Sequence, residues 1–153
     1  MRYSAQGINL TFEPSVTSYM YGFMQNKARK PEAGGQLFGN IDGNKVVVKV
    51  ATGPYQRDKR SRNSYESCPI SAQESIVNQL NAGLEYLGEW HTHPEANPQA
   101  SSLDIKAMKS IFAKSKLRTN GLLLAIAGNS PKKFIINTWL ICNSQFLPLN
   151  YED

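Results

Sequence analysis

The chain is poor in the residues that redox and cysteine-ligated metal proteins use in bulk. It has two cysteines, Cys68 and Cys142, and they form no C-x-x-C pair. A disulfide framework is therefore not expected, and a reducing, cytoplasmic address is the default. No apolar run approaches the roughly 20 residues that a spanning helix needs. Met1 to Leu10 lacks the basic-then-apolar layout of a secretory signal. With no repeat, low-complexity tract or linker, residues 1–153 read as one domain. Basic residues outnumber acidic ones, 17 to 12, for a formal net charge of +5. They fall in short groups: Lys27, Arg29 and Lys30; Arg57, Lys59, Arg60 and Arg62; Lys106, Lys109, Lys114, Lys116 and Arg118. None is long enough for a nucleic-acid tail, and no aromatic-rich basic platform accompanies them. Neither nucleic acid nor a membrane is expected as a partner.

Apolar periodicity supplies the elements. Ile8 to Phe12 alternates as a short strand. Glu13-Pro14-Ser15 opens a helix whose buried face is Val16, Tyr19, Met20, Phe23 and Met24, with Lys27 to Lys30 in its last turn and Pro31 as its stop. Gln36 to Ile41 and Lys45 to Val50 form a hairpin around Asp42-Gly43-Asn44. A polar, basic loop covers residues 53–68. A second helix starts at Ser71, with Glu74 completing a capping box and Ile76, Val77, Leu80 and Leu84 as its apolar stripe; Gly83 weakens it. Tyr86 to His91 is a strand. Ser102 to Lys114 is a third helix with Ile105, Met108, Ile111 and Phe112 inward. Leu122 to Ala127 and Phe134 to Cys142 are buried strands, and Phe146 to Asp153 is a last strand or a tail. Mixed strands with three helices give an α/β or α+β layered domain.

Histidine is as scarce as cysteine, and both copies stand in Glu89-Trp90-His91-Thr92-His93-Pro94. On a strand, His91 and His93 point to one side and Thr92 to the other, so two imidazoles can share one metal. Two histidines and a carboxylate make the ligand set of a catalytic zinc site with an open position. Downstream, Ser101-Ser102-Leu103-Asp104 precedes an apolar helix. This is a capping-box pattern, and it also aims a carboxylate at whatever lies beside the helix start. Glu32 stands in Pro31-Glu32-Ala33-Gly34-Gly35-Gln36-Leu37-Phe38-Gly39. Alone it reads as a solvated charge; three nearby glycines suggest close backbone approach beside an active site.

Taken together, Glu32 in EAGGQLFG, HTHP at 91–94 and SSLD at 101–104 resemble the JAMM, or JAB/MPN, zinc metallopeptidases. Gly53 to Arg57, Ser61 to Tyr65, GEWHTHP and SSLD also resemble the stand-alone prokaryotic JAB proteins. The resemblance implies a cytidine-deaminase-like fold with a mixed curved sheet flanked by three helices. It implies one zinc held by His91, His93 and Asp104, with a water in the fourth position. Glu32 would serve as general base and Ser101 as oxyanion donor in cleaving an amide or isopeptide bond. Arg57, Arg60 and Arg62 are candidates to grip an acidic partner. Several such proteins sit in CBASS anti-phage operons beside E1/E2-like proteins and a cGAS-like nucleotidyltransferase. The implied substrate is that nucleotidyltransferase, or a ubiquitin-like C-terminus, joined to a target.

Rival chemistries lack their residues. A nucleoside deaminase needs H-x-E with P-C-x-x-C, and a thermolysin-type site needs H-E-x-x-H. The remaining alternatives are a peptidase for another ubiquitin-like or sulfur-carrier protein and a scaffold without activity.

Overall fold

The structure is a computed structural model that describes residues 1–115, 117 and 120–153. Lys116 and Arg118 of the third basic group lie outside the described residues. In chain order the elements are β1 (Arg2–Ala5), β2 (Ile8–Phe12), α1 (Pro14–Tyr21), β3 (Gly34–Asp42), β4 (Lys45–Ala51), β5 (Lys59–Ser61), β6 (Ser64–Glu66), α2 (Pro69–Asn81), β7 (Glu85–Thr92), α3 (Ser102–Lys114), β8 (Leu122–Ala127), β9 (Ile136–Cys142) and β10 (Gln145–Glu152). Eight strands curl into a closed barrel in the order β1-β10-β9-β8-β7-β3-β4-β2, and β5 and β6 form a separate hairpin. The sheet is mixed: β2 runs parallel to β4 and β7 to β8, and the other pairs are antiparallel. This is the curved, mixed sheet with three helices that the sequence implied, its curvature carried to closure.

The two faces of β8 show how the core is divided. Leu123, Ala125 and Ala127 join Tyr3, Leu10, Leu37 and Trp90 in one cluster. Leu122, Leu124 and Ile126 join Trp139, Ile141 and Met108 of α3 in the other. A strand buried on both faces must read as a continuous apolar run. On α3, Ile111 and Phe112 pack against the second cluster beside Met108, as their spacing required.

Five expectations need correction. The first helix ends at Tyr21, before Phe23 and the lysines. There the chain tightens into i to i−3 bonds, Phe23 N–H to the Met20 carbonyl and Met24 N–H to that of Tyr21, both 3.0 Å. Phe23 still packs on Trp90, with ring centroids 5.8 Å apart, so the apolar spacing served a turn. The second helix starts at Pro69 and its cap is Cys68 without a side-chain bond, so the Ser71–Glu74 box does not form. Proline at a first helical position already has the required φ and lacks an orphan N–H. Gly83, at φ +85°, lies past the end of α2 and terminates it. Val77 and Leu80 are 46% and 43% exposed, so the expected stripe of α2 is not a buried face. Within the basic loop, β5 and β6 pair as a hairpin that alternation over three residues was too short to reveal.

A bulge between Leu37 and Phe38 shifts the pairing of β3 with β7 opposite Gly88. Gly88 has φ +150°, and a Cβ there would lie 2.0 Å from the Leu123 carbonyl oxygen. Bulges re-aim side chains. Leu87 and Trp90 both enter the first core cluster despite their odd spacing. Glu89 and His91 are thereby turned to the opposite side.

Candidate metal centre

β7 carries the chain into the site. Its pleat puts Thr92 inward, where the side-chain oxygen accepts from the Ala33 N–H at 3.0 Å and donates to Gln25 Oε1 at 3.1 Å. His91 and His93 project the other way, and their Nε2 atoms are 3.1 Å apart. α3 brings the third group. Asp104 Oδ1 lies 3.2 Å from His91 Nε2, and Oδ2 lies 3.3 Å from His93 Nε2. Gly34 permits this approach, since a Cβ there would meet the Trp90 carbonyl oxygen at 2.4 Å and His91 Cβ at 2.8 Å.

The donor set fits a metal. A tetrahedral ion with ligands at about 2.0–2.1 Å has ligand–ligand edges near ~3.3 Å. The two imidazole nitrogens are separated by about one such edge, 3.1 Å, and Asp104 reaches each of them with a different carboxylate oxygen, at 3.2 and 3.3 Å. Two imidazole nitrogens and a carboxylate with lone pairs aimed at one point are better satisfied by a cation than by one another. His93 Nδ1 is buried and has no hydrogen-bond partner among the described residues; the Glu95 carboxylate is 3.9 Å away.

Electrostatics sort the carboxylates. Burial works to raise the Asp104 pKa. The hydrogen bonds and charges of His91 and His93, with the Ser101 backbone N–H, outweigh it and hold the group well below the usual range. Burial dominates at Glu32, which is 4% exposed. Its carboxyl is pushed up to about 7, opposed by the charge of His93 and reinforced by Asp104 and Glu95. Two acids close to one another are thus set apart, the Asp104 pKa lowered and the Glu32 pKa raised.

The chain belongs to the prokaryotic JAB family. The family described as prokaryotic homologs of the JAB domain matches residues 24–142. The chain is similar to proteins named "CD-NTase/cGAS isopeptidase". One, from Pseudomonas aeruginosa, is 34% identical over 79% of this chain and 78% of the relative. Another, from Escherichia coli, is 36% identical over 60% of this chain and 61% of the relative. A third, from Vibrio cholerae, is 32% identical over 74% and 72%. In fold, the JAB domain is similar to the solution structure of a Desulfitobacterium hafniense protein, with a TM-score of 0.66 and 19% identity over 91% of this chain and 88% of that one.

Other residues singled out in the sequence fall around the centre of this JAB domain. Ser101 caps α3: its Oγ accepts from the Asp104 N–H at 3.1 Å, and its own N–H donates to Asp104 Oδ2 at 2.8 Å. The capping box thus forms, and it also orients Asp104. Arg60 Nε donates to the Glu32 carbonyl at 2.6 Å, and Arg62 Nη1 to that of Lys27 at 2.9 Å. Arg57 is exposed. Asp58 and Tyr65, which sequence reasoning missed, also stand here. The Tyr65 ring stacks on that of His91, centroids 6.4 Å apart and 16° between planes. Its hydroxyl donates to Asp58 Oδ2 at 3.0 Å. Tyr65 falls in a stretch that carries the family resemblance, but nothing local in the sequence shows which ring or carboxylate either residue meets.

Proposed function

We propose that the protein is a zinc-dependent isopeptidase that releases a cGAS-like nucleotidyltransferase from the targets to which it has been conjugated. The observation that carries this is the convergence of His91, His93 and Asp104 to within 3.3 Å of one another. Glu32, buried and titrating near 7, stands by them. Zinc bound by these residues would supply Lewis acidity, bringing the pKa of a coordinated water to about 7 and polarising a carbonyl. Glu32 would take a proton from the attacking water and return it to the leaving lysine amine, a task that suits a carboxyl with a pKa near the working pH. Ser101 would donate its hydroxyl hydrogen to the developing oxyanion while its oxygen keeps the α3 cap. Arg57 is exposed and is the best placed of the loop's arginines to meet an acidic group, because Arg60 and Arg62 already donate to backbone carbonyls.

The names of the relatives support the substrate class. The intact donor set weighs against a scaffold. On this reading the protein works in the cytoplasm beside E1/E2-like proteins that make the conjugates it cleaves in CBASS defence. The test is incubation of the zinc-loaded protein with a fusion of the nucleotidyltransferase C-terminus to a reporter, with Glu32→Gln alongside. Cleavage by wild type alone is the expected result. Equal cleavage by Glu32→Gln would overturn the assignment of the base, and no cleavage by wild type would overturn the substrate.

A further inference from the structure

The β5–β6 hairpin makes two contacts that a solvated loop has no reason to make. At Glu32 it holds both sides of one residue's backbone: the Glu32 N–H donates to the Ser61 carbonyl at 2.8 Å, and Arg60 Nε donates to the Glu32 carbonyl at 2.6 Å. On the other strand of the hairpin, the Tyr65 ring stands nearly parallel to that of His91, with centroids 6.4 Å apart. The base of the hairpin is fixed by one carboxylate. Asp58 accepts from the Tyr55 N–H at 2.7 Å, the Tyr65 hydroxyl at 3.0 Å and the Cys68 N–H at 2.8 Å. Three bonds to a charged acceptor fix its geometry more firmly than neutral ones would.

We infer that this hairpin is a positioning element for the reaction, in which Arg60 sets the backbone of Glu32, Tyr65 sets the ring of His91, and Asp58 locks both in register. The inference rests on the isopeptidase reading and adds to it a role for three residues that touch neither metal nor scissile bond. Its physical basis is that a proton-transfer group must sit within hydrogen-bond reach of its target. A displacement of about 1 Å can cost on the order of 10²-fold in rate. Glu32 lies in an irregular segment before β3, where the sheet ladder does not yet hold it. The hairpin supplies the missing bonds. Arg60 is exposed in spite of this contact, so its replacement leaves the core intact.

The test compares zinc-loaded wild type with Arg60→Ala, Arg60→Lys, Tyr65→Ala and Tyr65→Phe. For Arg60→Ala, kcat on the fusion substrate should fall by about 10- to 100-fold with KM within about twofold. Hydrogen exchange of the Glu32 amide should quicken. Arg60→Lys, which can still donate to the carbonyl, should recover most of the lost kcat. Tyr65→Ala should weaken zinc binding by about tenfold, while Tyr65→Phe, which keeps the ring, should hold within about threefold of wild type. A rise in KM with unchanged kcat for Arg60→Ala would overturn the inference and make Arg60 a substrate contact. Unchanged kinetics, or a Glu32 amide as protected as before, would also overturn it. A wild-type protein that cleaves no fusion would instead sink the isopeptidase reading, and amide exchange and zinc affinity would then judge the hairpin by themselves.

Discussion

At Asp104, one carboxylate meets two obligations. It closes the α3 capping box through Oδ2 and faces both imidazoles. Asp104→Ala and His91→Ala are therefore expected to lose bound metal, read as metal content after dialysis; a stoichiometric ion in either would remove that residue from the ligand set. Ser101 separates cap from chemistry. Ser101→Gly should cost only a few tenths of a kcal/mol, because glycine is a tolerable N-cap, yet lower kcat by about 10² because the donor is gone. Wild-type kcat in that variant would confine Ser101 to capping. A further acid, half-buried Glu89, behaves differently. Glu89 accepts from Gln36 Nε2 at 2.8 Å and from the Tyr86 hydroxyl, and burial above all pushes its pKa up to about 7 from 4.5. The native state thus binds this proton more tightly than the unfolded chain does. The stability it gives is full below about 4.5 and fades as pH rises through 7, by at most a few kcal/mol. Glu89→Gln should flatten that slope in thermal melts between pH 5 and 7, and an unchanged slope would refute the assignment. The histidine pair was legible from strand alternation and Asp104 from its capping pattern, whereas Glu32 alone read as a solvated charge and was singled out only through the family resemblance. Asp58, Arg60 and Tyr65 were not legible, because their roles depend on which carbonyl, amide or ring the fold brings beside them.

Among the elements, β7 is the one on which the site depends most, and its bulge decides which way its side chains face. Gly88→Ala would force a Cβ to within 2.0 Å of the Leu123 carbonyl at a φ of +150°. The expected cost is roughly 2–4 kcal/mol, seen as a lower denaturant midpoint. A variant as stable as wild type would mean that the bulge relaxes without strain. Strands long enough to alternate or to bury both faces were readable in advance, β8 most clearly. β1 was missed, because RYSA has one buried apolar residue, Tyr3, and although it forms a hairpin with adjacent β2 its other partner, β10, is distant in sequence. The stripe of α2 misled for a related reason: apolar spacing shows that a helix has a face, and only tertiary packing shows whether that face is covered.

At the scale of the whole molecule, no helix among the described residues is long and apolar enough to cross a membrane. The excess of basic residues leaves a formal charge of +5. If Arg57 meets an acidic partner, KM for the fusion should rise as salt goes from about 0.05 to 0.5 M; a flat KM would retire that contact. Closure of the barrel has its own consequence. The seam joins Arg2 to Glu152, so β1 is stitched to a strand nearly 150 residues further along the chain. Until residues 145–152 are made, Tyr3 and Leu10 have no finished interior to enter, and β1 and β9 each wait with one bare rim. Newborn chains therefore pass through synthesis as open, adhesive sheets. Dependence on chaperones should be concentrated in the interval before β10 emerges.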